Sequence, residues 1–345
     1  MIRKNLIIFI IILMNSISAY SEEYTILQWN IWQEGTMVEG GYDAIVEEIH
    51  RINPDFVTLS EVRNYGGIDF TAKLTSDLKQ RGDTFYTTKS YDTGLLSKFP
   101  IERFDTIFPL ADDHGTIYRL HATSPSGDKF AVYTAHLDYQ NCAYYEPRGY
   151  SGVDWKECAV PSSVEEILMK NDISLRDDAI KNFIAAGEED IADGRIVFIG
   201  GDFNEPSLAD WTEATSLLYD HKGFIVPWTV SLLLQEAHYI DSYRAIYPDP
   251  VEYPGFTYPS ANHNKEISEL TWAPKSDERE RIDVIYYKSP ANKRVELQDA
   301  YIFGPKESIA NSQIMENPGK DKYITPSGIW PTDHKGLILK FNIPF

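Results

Sequence analysis

The sequence predicts a mixed α+β architecture in which β-sheets pack against one another. Segments with strand-like alternation outnumber helical ones, many strands follow each other directly, and no Pro/Gly/Ser-rich or charged linker divides the 345 residues. One domain over residues 22–345 is therefore expected. The aromatic share of 13% is heavy and supplies large side chains for a core and for cavity walls.

The elements follow in order. "YTILQWNIW" (24–32) alternates, with Leu27, Trp29 and Ile31 on one face and Ile26, Gln28 and Asn30 on the other, and reads as a strand. "GYDAIVEEIHRINPD" (41–55) places Ile45, Ile49 and Ile52 at helical spacing and is closed by Pro54. "FVTLSEV" (56–62) is the next strand, before a helical stretch near 69–81. "TGLLSKFPI" (93–101) and "TIYRLHATS" (116–124) read as strands, and "GDKFAVYTAHLDY" (127–139) follows a Ser-Gly-Asp turn. "SLRDDAIKNFIAAGEEDIADG" (174–194) is a helix, with Ser174 and Asp177 as a capping-box-like start and Gly194 at its stop. "RIVFIGGDFN" (195–204) is a buried strand and "DWTEATSLLYD" (210–220) a helix; the region up to residue 240 is mixed. "RIDVIYYKS" (281–289) and "HKGLILKFNI" (334–343) are the last strands, while 253–280 and 303–332 are loops.

The first 21 residues stand apart. Arg3 and Lys4, an apolar run from Leu6 to Met14 and then small residues read as a secretory signal peptide, cleaved after Ala19 or Ser21. The run is short for a membrane span, so a secreted or periplasmic protein without an integral membrane segment is expected. No Cys lies at the cleavage point to take a lipid. Loss of this segment moves the net charge from −20 to −22, with 30 Lys and Arg left against 52 Asp and Glu. Such a surface repels polyanions, although a bound metal can reverse the sign locally. Cys142 and Cys158 flank a 15-residue segment; in an exported protein they read as a disulfide, with two free buried thiols as the alternative. No Cys-x-x-Cys or Cys/His cluster suggests zinc.

Chemistry gathers where polar residues interrupt or end apolar strands. These are Asn30, Glu61, His136, Asp138, Asp202, Asn204, Asp283 and the pair Asp333–His334. Any one alone would be an ordinary hydrogen-bonded strand end. Together they are acids, amides and imidazoles with no matching run of Lys or Arg, which calls for a divalent cation. Oxygen donors with few His favour a hard ion, Mg2+, with Mn2+ or Ca2+ as alternatives.

The ordered set "QWN", "LSEV", "GLLSKFPI", "AHLD", "GGDFN", "RIDVIY" and "TDH" resembles the endonuclease/exonuclease/phosphatase (deoxyribonuclease I-like) superfamily, from about residue 24 to the C-terminus. The resemblance implies a four-layer αββα sandwich and a metal-dependent phosphoesterase site across the strand ends. It implies metal contacts at Glu61, Asn30 and Asp333. It implies catalytic roles for Asp202 and Asn204 at the attacking water and the phosphate, for Asp283 paired with His334, and for His136 on the phosphate side. Arg119 matches a phosphate-contacting arginine of the nuclease branch. Where the family has Ser-Asp-His this chain has Thr332-Asp333-His334, which keeps the hydroxyl. A phosphodiester is anionic, so its hydrolysis needs charge neutralisation and in-line placement of water. Asp202 or the Asp283–His334 pair can accept a proton from water, and His136 or a metal-bound water can return one.

The segment after His136 carries Tyr139, Tyr144, Tyr145, Tyr150 and Trp155 with Arg148 and Lys156. It is expected at the rim of the site, where aromatics either stack on a ligand or form a small core of their own. A second aromatic and proline cluster, 247–260, is a candidate second wall or simple surface packing. Candidate substrate contacts are Arg119, Asp138, Tyr139 and Arg148. With no basic stripe for a nucleic-acid backbone, a small or lipid-derived phosphoester is the favoured substrate. A secreted nuclease acting on DNA or RNA is the alternative, and a noncatalytic binding module a lesser one. No protein partner can be inferred.

Overall fold

The computed structural model describes residues 22–344, so the signal-peptide segment lies outside the described residues. In chain order the elements are β1 (Glu22–Asn30), α1 (Gly41–Ile52), β2 (Phe56–Val62), α2 (Phe70–Gln80), β3 (Tyr86–Thr87), β4 (Asp92–Ser97), β5 (Ile101–Phe108), β6 (Gly115–Thr123) and β7 (Lys129–Leu137). There follow α3 (Val164–Asn171), α4 (Arg176–Ala192), β8 (Ile196–Asp202), α5 (Thr229–Glu236), β9 (Ile240–Asp241), α6 (Ser242–Ile246) and β10 (Asp283–Lys288). The chain ends in β11 (Glu296–Phe303), the hairpin β12 (Glu307–Ala310) and β13 (Gln313–Glu316), β14 (Tyr323–Ile324) and β15 (Gly336–Ile343).

Two mixed sheets are packed face to face. One runs β14-β11-β15-β1-β2-β4-β3 and the other β5-β6-β7-β8-β10-β9. Alternation along β1 sorts the layers: Ile26 faces the other sheet, and Leu27 and Trp29 face outward. The inter-sheet core holds Tyr24, Ile26, Phe56 and Leu339 from one sheet and Leu120, Phe130 and Phe198 from the other. Ile45, Ile49, Leu74 and Leu78 of α1 and α2 cover the outer face of the first sheet, against Leu27, Val57 and Leu59. Ile180, Phe183 and Leu234 of α4 and α5 cover the second, against Ala131, Val197 and Ile199. The result is the expected four-layer helix–sheet–sheet–helix sandwich.

At one end of the sandwich the inward-facing positions change from apolar to polar. Gln28, Asn30, Thr58 and Ser60 of the first sheet meet Thr134, Asp202 and Asp283 of the second, and every one of them is buried. The sheets are joined there by hydrogen bonds: Gln28 Nε2 donates to Asp283 at 3.2 Å, Asn30 Nδ2 to Asp202 at 2.9 Å, and Ser60 Oγ to the Ala135 carbonyl at 3.0 Å. Gly200 permits this approach, because a Cβ there would lie 2.4 Å from Thr58 Oγ1.

Several local expectations are corrected. Residues 210–220 form consecutive turns and no helix, since Thr215 Oγ1 donates to the Asp210 carbonyl and fully buried Trp211 pins the segment from below. The 93–101 stretch divides at Lys98–Pro100 into β4 and the start of β5. The 303–332 segment holds β12, β13 and β14. At α4 the N-cap is Leu175 with no side-chain cap, and Ser174 Oγ accepts only the Arg176 N–H at a long 3.4 Å, so no capping box forms. Among the described residues no helix is long and apolar enough to cross a membrane.

Candidate active site

Three neighbouring strands set one row of the site. In the ladder His136 of β7 pairs with Asp202 of β8, and Asp202 with Asp283 of β10, so their side chains sit side by side. β15 is preceded by the Thr332-Asp333-His334 turn, in which the His334 N–H donates to Thr332 Oγ1 at 3.1 Å. His334 Nδ1 lies 2.9 Å from Asp283 Oδ2, and its Nε2 lies 3.7 Å from Asp202 Oδ2. From the opposite side, His136 Nδ1 lies 2.8 Å from Asp92 Oδ2, and its Nε2 lies 3.9 Å from the same Asp202 oxygen. Two imidazole–carboxylate pairs thus converge on one buried carboxylate.

The electrostatics follow from burial and pairing. Burial pushes the His136 imidazole down, but the charge and hydrogen bond of Asp92 hold it up at about 9. His334 is likewise pushed down by burial and held up at about 10 by Asp283 and Asp202. The Asp92 carboxyl is lowered overall, because His136 and Arg63 outweigh its desolvation. Asp202 is raised by desolvation despite both imidazoles. Asp333 is raised to about 7 by burial, with Glu61 and Asp202 adding to the rise against His334.

Glu61 is aimed by a β-bulge. The β2–β4 register shifts between Ser60 and Val62, and Glu61 takes φ 68° in the gap, which turns its half-buried carboxylate toward the cavity. Its Oε2 accepts the Gln33 N–H at 2.9 Å and its Oε1 the Asn30 amide at 3.1 Å. Asn30 spans Glu61 and Asp202 through Nδ2, and its Oδ1 accepts the Trp32 N–H at 3.0 Å. In this orientation Asn30 spaces two acids and has one oxygen lone pair left for an ion. Asn204 takes φ 49°, donates its N–H to Asp202 Oδ1 at 2.9 Å and its side-chain amide to the Leu137 carbonyl.

These groups surround a cavity of about 340 Å³ lined by Glu61, His136, Asp202, Asn204, Asp333 and His334. Aromatic residues build its walls. Trp155 and Trp272 pack on each other at 4.8 Å, with half of Trp272 exposed, while Tyr139, Tyr144, Tyr145, Tyr258 and Trp32 lie further round. The aromatic segment divides between a small core and the cavity wall. Tyr144 and Tyr145 also belong to a small core with Tyr150, Trp211 and Trp228, against which Trp155 packs from the rim beside Trp272. In the 247–260 cluster, Tyr247 and Tyr253 stack on each other away from the cavity, and Tyr258 supplies wall.

Three candidate substrate contacts lie elsewhere. Arg119 is buried in mid-strand, and its guanidinium is taken by Asp105 and Asp190 on the α4 side of the sheet. Arg148 is buried against Glu280 and the carbonyls of Tyr144, Tyr219 and Asp277. Asp138 is held by His114 and by the N–H groups of Gln140 and Leu175. Each is a structural tie, and of the four only Tyr139 faces the cavity. The disulfide is also corrected: both cysteines are free. Buried Cys142 donates its thiol to the Tyr139 carbonyl at 2.9 Å, exposed Cys158 sits beside Glu146, and the loop is closed by backbone bonds from Cys142 N to Gly152 O and from Cys158 N to Gly149 O.

Sequence reasoning missed three residues. Asp92 opens β4 at φ 63° and holds His136; its signal was an acid beginning an apolar strand, as at Asp283. Gln28 orients Asp283 and was visible as a polar residue on the inner face of β1. Arg63 is the single Lys or Arg lining the cavity among the described residues, bridging Asp92 at 2.9 Å and Asp113. Nothing in the sequence pattern set it apart from a surface arginine.

The donor chemistry fits a divalent ion. Asp202 and Asp333 are raised first by burial, with neighbouring acids adding to the rise against the imidazoles, and a hard dication would offset the cost of burying these carboxylates. Among the described residues Asp202, Asp283 and His334 form the one group of three such side chains whose ligand atoms lie within 4.8 Å of one another, and it could hold such an ion. Asp283 is engaged with His334 Nδ1 and Gln28, whereas the Asp333 carboxylate accepts a long 3.4 Å bond from Thr332.

Residues 27–334 match the model of the endonuclease/exonuclease/phosphatase family. The chain is 28% identical over 300 residues to an uncharacterized protein of Caenorhabditis elegans, covering 82% of this chain and 86% of that one. Among solved structures it is similar to the AP endonuclease LMAP from Leishmania major, with a TM-score of 0.50 and 12% identity over 93% of this chain and 88% of that one. It is also similar to the human Nocturnin catalytic domain with bound sulfate anion, with a TM-score of 0.49 and 15% identity over 94% and 97% of the two chains. Convergence of the strand-end acids and imidazoles in a two-sheet sandwich agrees with the sequence match, and this chain belongs to the endonuclease/exonuclease/phosphatase family.

Proposed function

We propose that this member of a family of phosphoester hydrolases is an exported, divalent-metal-dependent phosphoesterase acting on a small or lipid-derived phosphoester. The observation that carries the reading is the approach of two imidazole–carboxylate pairs to the single Asp202 carboxylate on the floor of the cavity.

Glu61 and Asp333, with Asn30 beside Glu61, are the residues that would hold the ion. When bound, it supplies positive charge to a phosphate oxygen and to the departing oxygen. The remaining work falls to the chain. Asp202 accepts a proton from the attacking water. His334, fixed by Asp283 and in turn by Gln28, presents Nε2 beside Asp202. His136, fixed by Asp92, presents an Nε2–H that donates to the phosphate or to the leaving oxygen. Asn204 has no titration role and orients the phosphate.

The acidic cavity wall with its single arginine favours a compact substrate over a polyanion, and the Trp155–Trp272 pair offers an apolar face to the group beyond the phosphate. The mature protein incubated with Mg2+ or EDTA against sphingomyelin, inositol phosphates, bis-p-nitrophenyl phosphate, plasmid DNA and RNA tests the reading. Metal-dependent headgroup or p-nitrophenol release is expected. Strong plasmid nicking with no headgroup release would transfer the assignment to a secreted nuclease.

A further inference from the structure

Four successive residues, Trp32, Gln33, Glu34 and Gly35, have φ of 40°, 54°, 64° and 71°. Only glycine enters this region freely, and runs of it in other residues persist where the surroundings hold them. The facing segment is strained as well, with Glu61 at 68° on its bulge and Asn64 at 55°.

The two segments are laced together. The Ile31 N–H donates to the Ser60 carbonyl at 3.2 Å, and the Gln33 N–H to Glu61 Oε2 at 2.9 Å. Tyr65 O–H donates to Gln33 Oε1 at 2.6 Å. Glu34 Oε1 accepts the Asn64 N–H at 2.6 Å, and the amides of Arg63 and Tyr65 also turn to its carboxylate. Three successive backbone N–H groups around one anion form a nest of the kind that elsewhere binds phosphate, and here the chain fills it with its own side chain. Glu34 is buried and is no part of the cavity wall, so it touches neither substrate nor ion.

We propose that Glu34 is a positioning residue: by occupying the 63–65 amide nest it fixes the bulge that presents Glu61 to the cavity, and so sets the affinity of the site for its divalent cation. The inference rests on the reading of Glu61 as a cation ligand. A carboxamide in place of the carboxylate turns an N–H2 toward three N–H donors, so the nest loses its anion with little change in volume.

The test is E34Q in the otherwise intact protein, with Mn2+ binding followed by electron paramagnetic resonance and Mg2+ half-saturation followed in bis-p-nitrophenyl phosphate hydrolysis. Both affinities are expected to weaken by about 10- to 100-fold, the usual effect of removing a residue that orients a ligand, while kcat at saturating Mg2+ stays within about threefold. Unchanged Mn2+ affinity overturns the proposal, whatever happens to thermal stability. Should E34Q fail to fold, Y65F carries the test, because Tyr65 is largely exposed and its hydroxyl serves the same lacing. About a twofold weakening of Mn2+ binding in Y65F supports the proposal and none overturns it. E61Q separates the premise from the inference. If E61Q binds Mn2+ as the parent does, the ligand reading of Glu61 fails; if E61Q loses binding and E34Q keeps it, the positioning role alone fails.

Discussion

Asp210→Ala should destabilise the protein more than most single substitutions, because Asp210 is the shared anion of two buried guanidiniums. Arg244 Nε donates to Asp210 Oδ1 at 2.6 Å, and Arg281 Nε to Oδ2 at 3.0 Å. Arg281 keeps Asp241 as a second partner at 2.7 Å, but among the described residues Arg244 has no other ion pair within 4.0 Å and would be left with the carbonyls of Tyr247, Tyr253 and Pro254. Stranding a buried charge in this way costs about 3–5 kcal/mol. Unfolding entropy for a chain of this size is near about 0.7 kcal/mol/K, so the melting midpoint should fall by about 4–7 °C. The loss should reach the site as well. Arg244 anchors the 247–254 loop, and the chain just beyond it supplies Thr257, whose Oγ1 accepts the Asp283 N–H at 3.1 Å. Differential scanning calorimetry on the purified variant reads the midpoint, with Asp154→Ala, which breaks an exposed pair with Lys156, as the control expected to melt like the parent. A folded Asp210→Ala protein melting within about 1 °C of the parent would refute the role given to this carboxylate.

Three further outcomes are expected. His334→Ala should lower kcat by about 10²- to 10⁴-fold in a protein that still folds but melts lower, since buried Asp283 loses its imidazole partner; steady-state kinetics with calorimetry checks both. EDTA should abolish hydrolysis and Mg2+ restore it, with the metal-free protein still folded by circular dichroism because the sandwich core is independent of the site. Lys335 is fully buried against Ser308 Oγ, and burial pulls its ammonium down to about 7 although Asp321 opposes the fall. Below pH 7 both folded and unfolded chains carry that charge and the native state bears the full desolvation penalty. Between pH 7 and the unfolded value of 10.5 the unfolded chain holds the extra proton, so this group's contribution makes stability rise with pH. Lys335→Met should therefore raise the melting temperature most below pH 7, by about 1–4 kcal/mol in stability, with the advantage shrinking toward pH 10 in thermal melts at several pH values.

The legible parts of the molecule are those where one strong local rule acts. Alternation in "YTILQWNIW" separated the outward Leu27 and Trp29 from the inward Ile26, Gln28 and Asn30, as the packed layers have it. The strands that escaped notice sit at or near sheet edges: β5 is half exposed and reads "IERFDTIF", and β11 carries a bulge between Leu297 and Asp299. Half-buried strands lack an apolar run, and a bulge breaks the period of two. Residues 210–220 fail for the opposite reason: helical spacing is present, but Trp211 is drawn into a local core and the backbone follows it. At the site, acids and imidazoles were visible because they interrupt apolar strands. Arg119 and Arg148 were misplaced because sequence shows a cation and not the face it points from; buried Asp190 and Glu280 claim them.

The opening of the site is a consequence of how the sandwich core ends. Between the sheets, Phe56, Phe130 and Phe198 exclude water, and polar groups beyond them must be satisfied by one another. Gln28, Thr58, Ser60 and Asn30 form that boundary, with Thr58 Oγ1 donating to Gln28 Oε1 at 2.7 Å and Ser60 Oγ accepting the Asp202 N–H at 3.1 Å. Gly200 lets the sheets close to that distance, since a Cβ there would strike Thr58 of the opposite sheet, while a Cβ on Gly201 would strike its own ladder partner Ala135 on β7. The first of the two glycines before the acid thus serves the approach of the sheets, and the second the close pairing with β7. Gly200 brings the first sheet near enough for Asn30 and Ser60 to hold Asp202 beside His136 and His334. Asp202 is therefore oriented by the opposite sheet, which also brings Asn30 at the end of β1, Glu61 on its bulge and, just ahead of β15, Asp333 and His334. Rigidity at the floor and strain at the Glu61 edge are then complementary. On the proposed function the floor would fix where proton transfer occurs, and at the bulge the geometry that Glu61 would offer a cation depends on a few neighbouring hydrogen bonds.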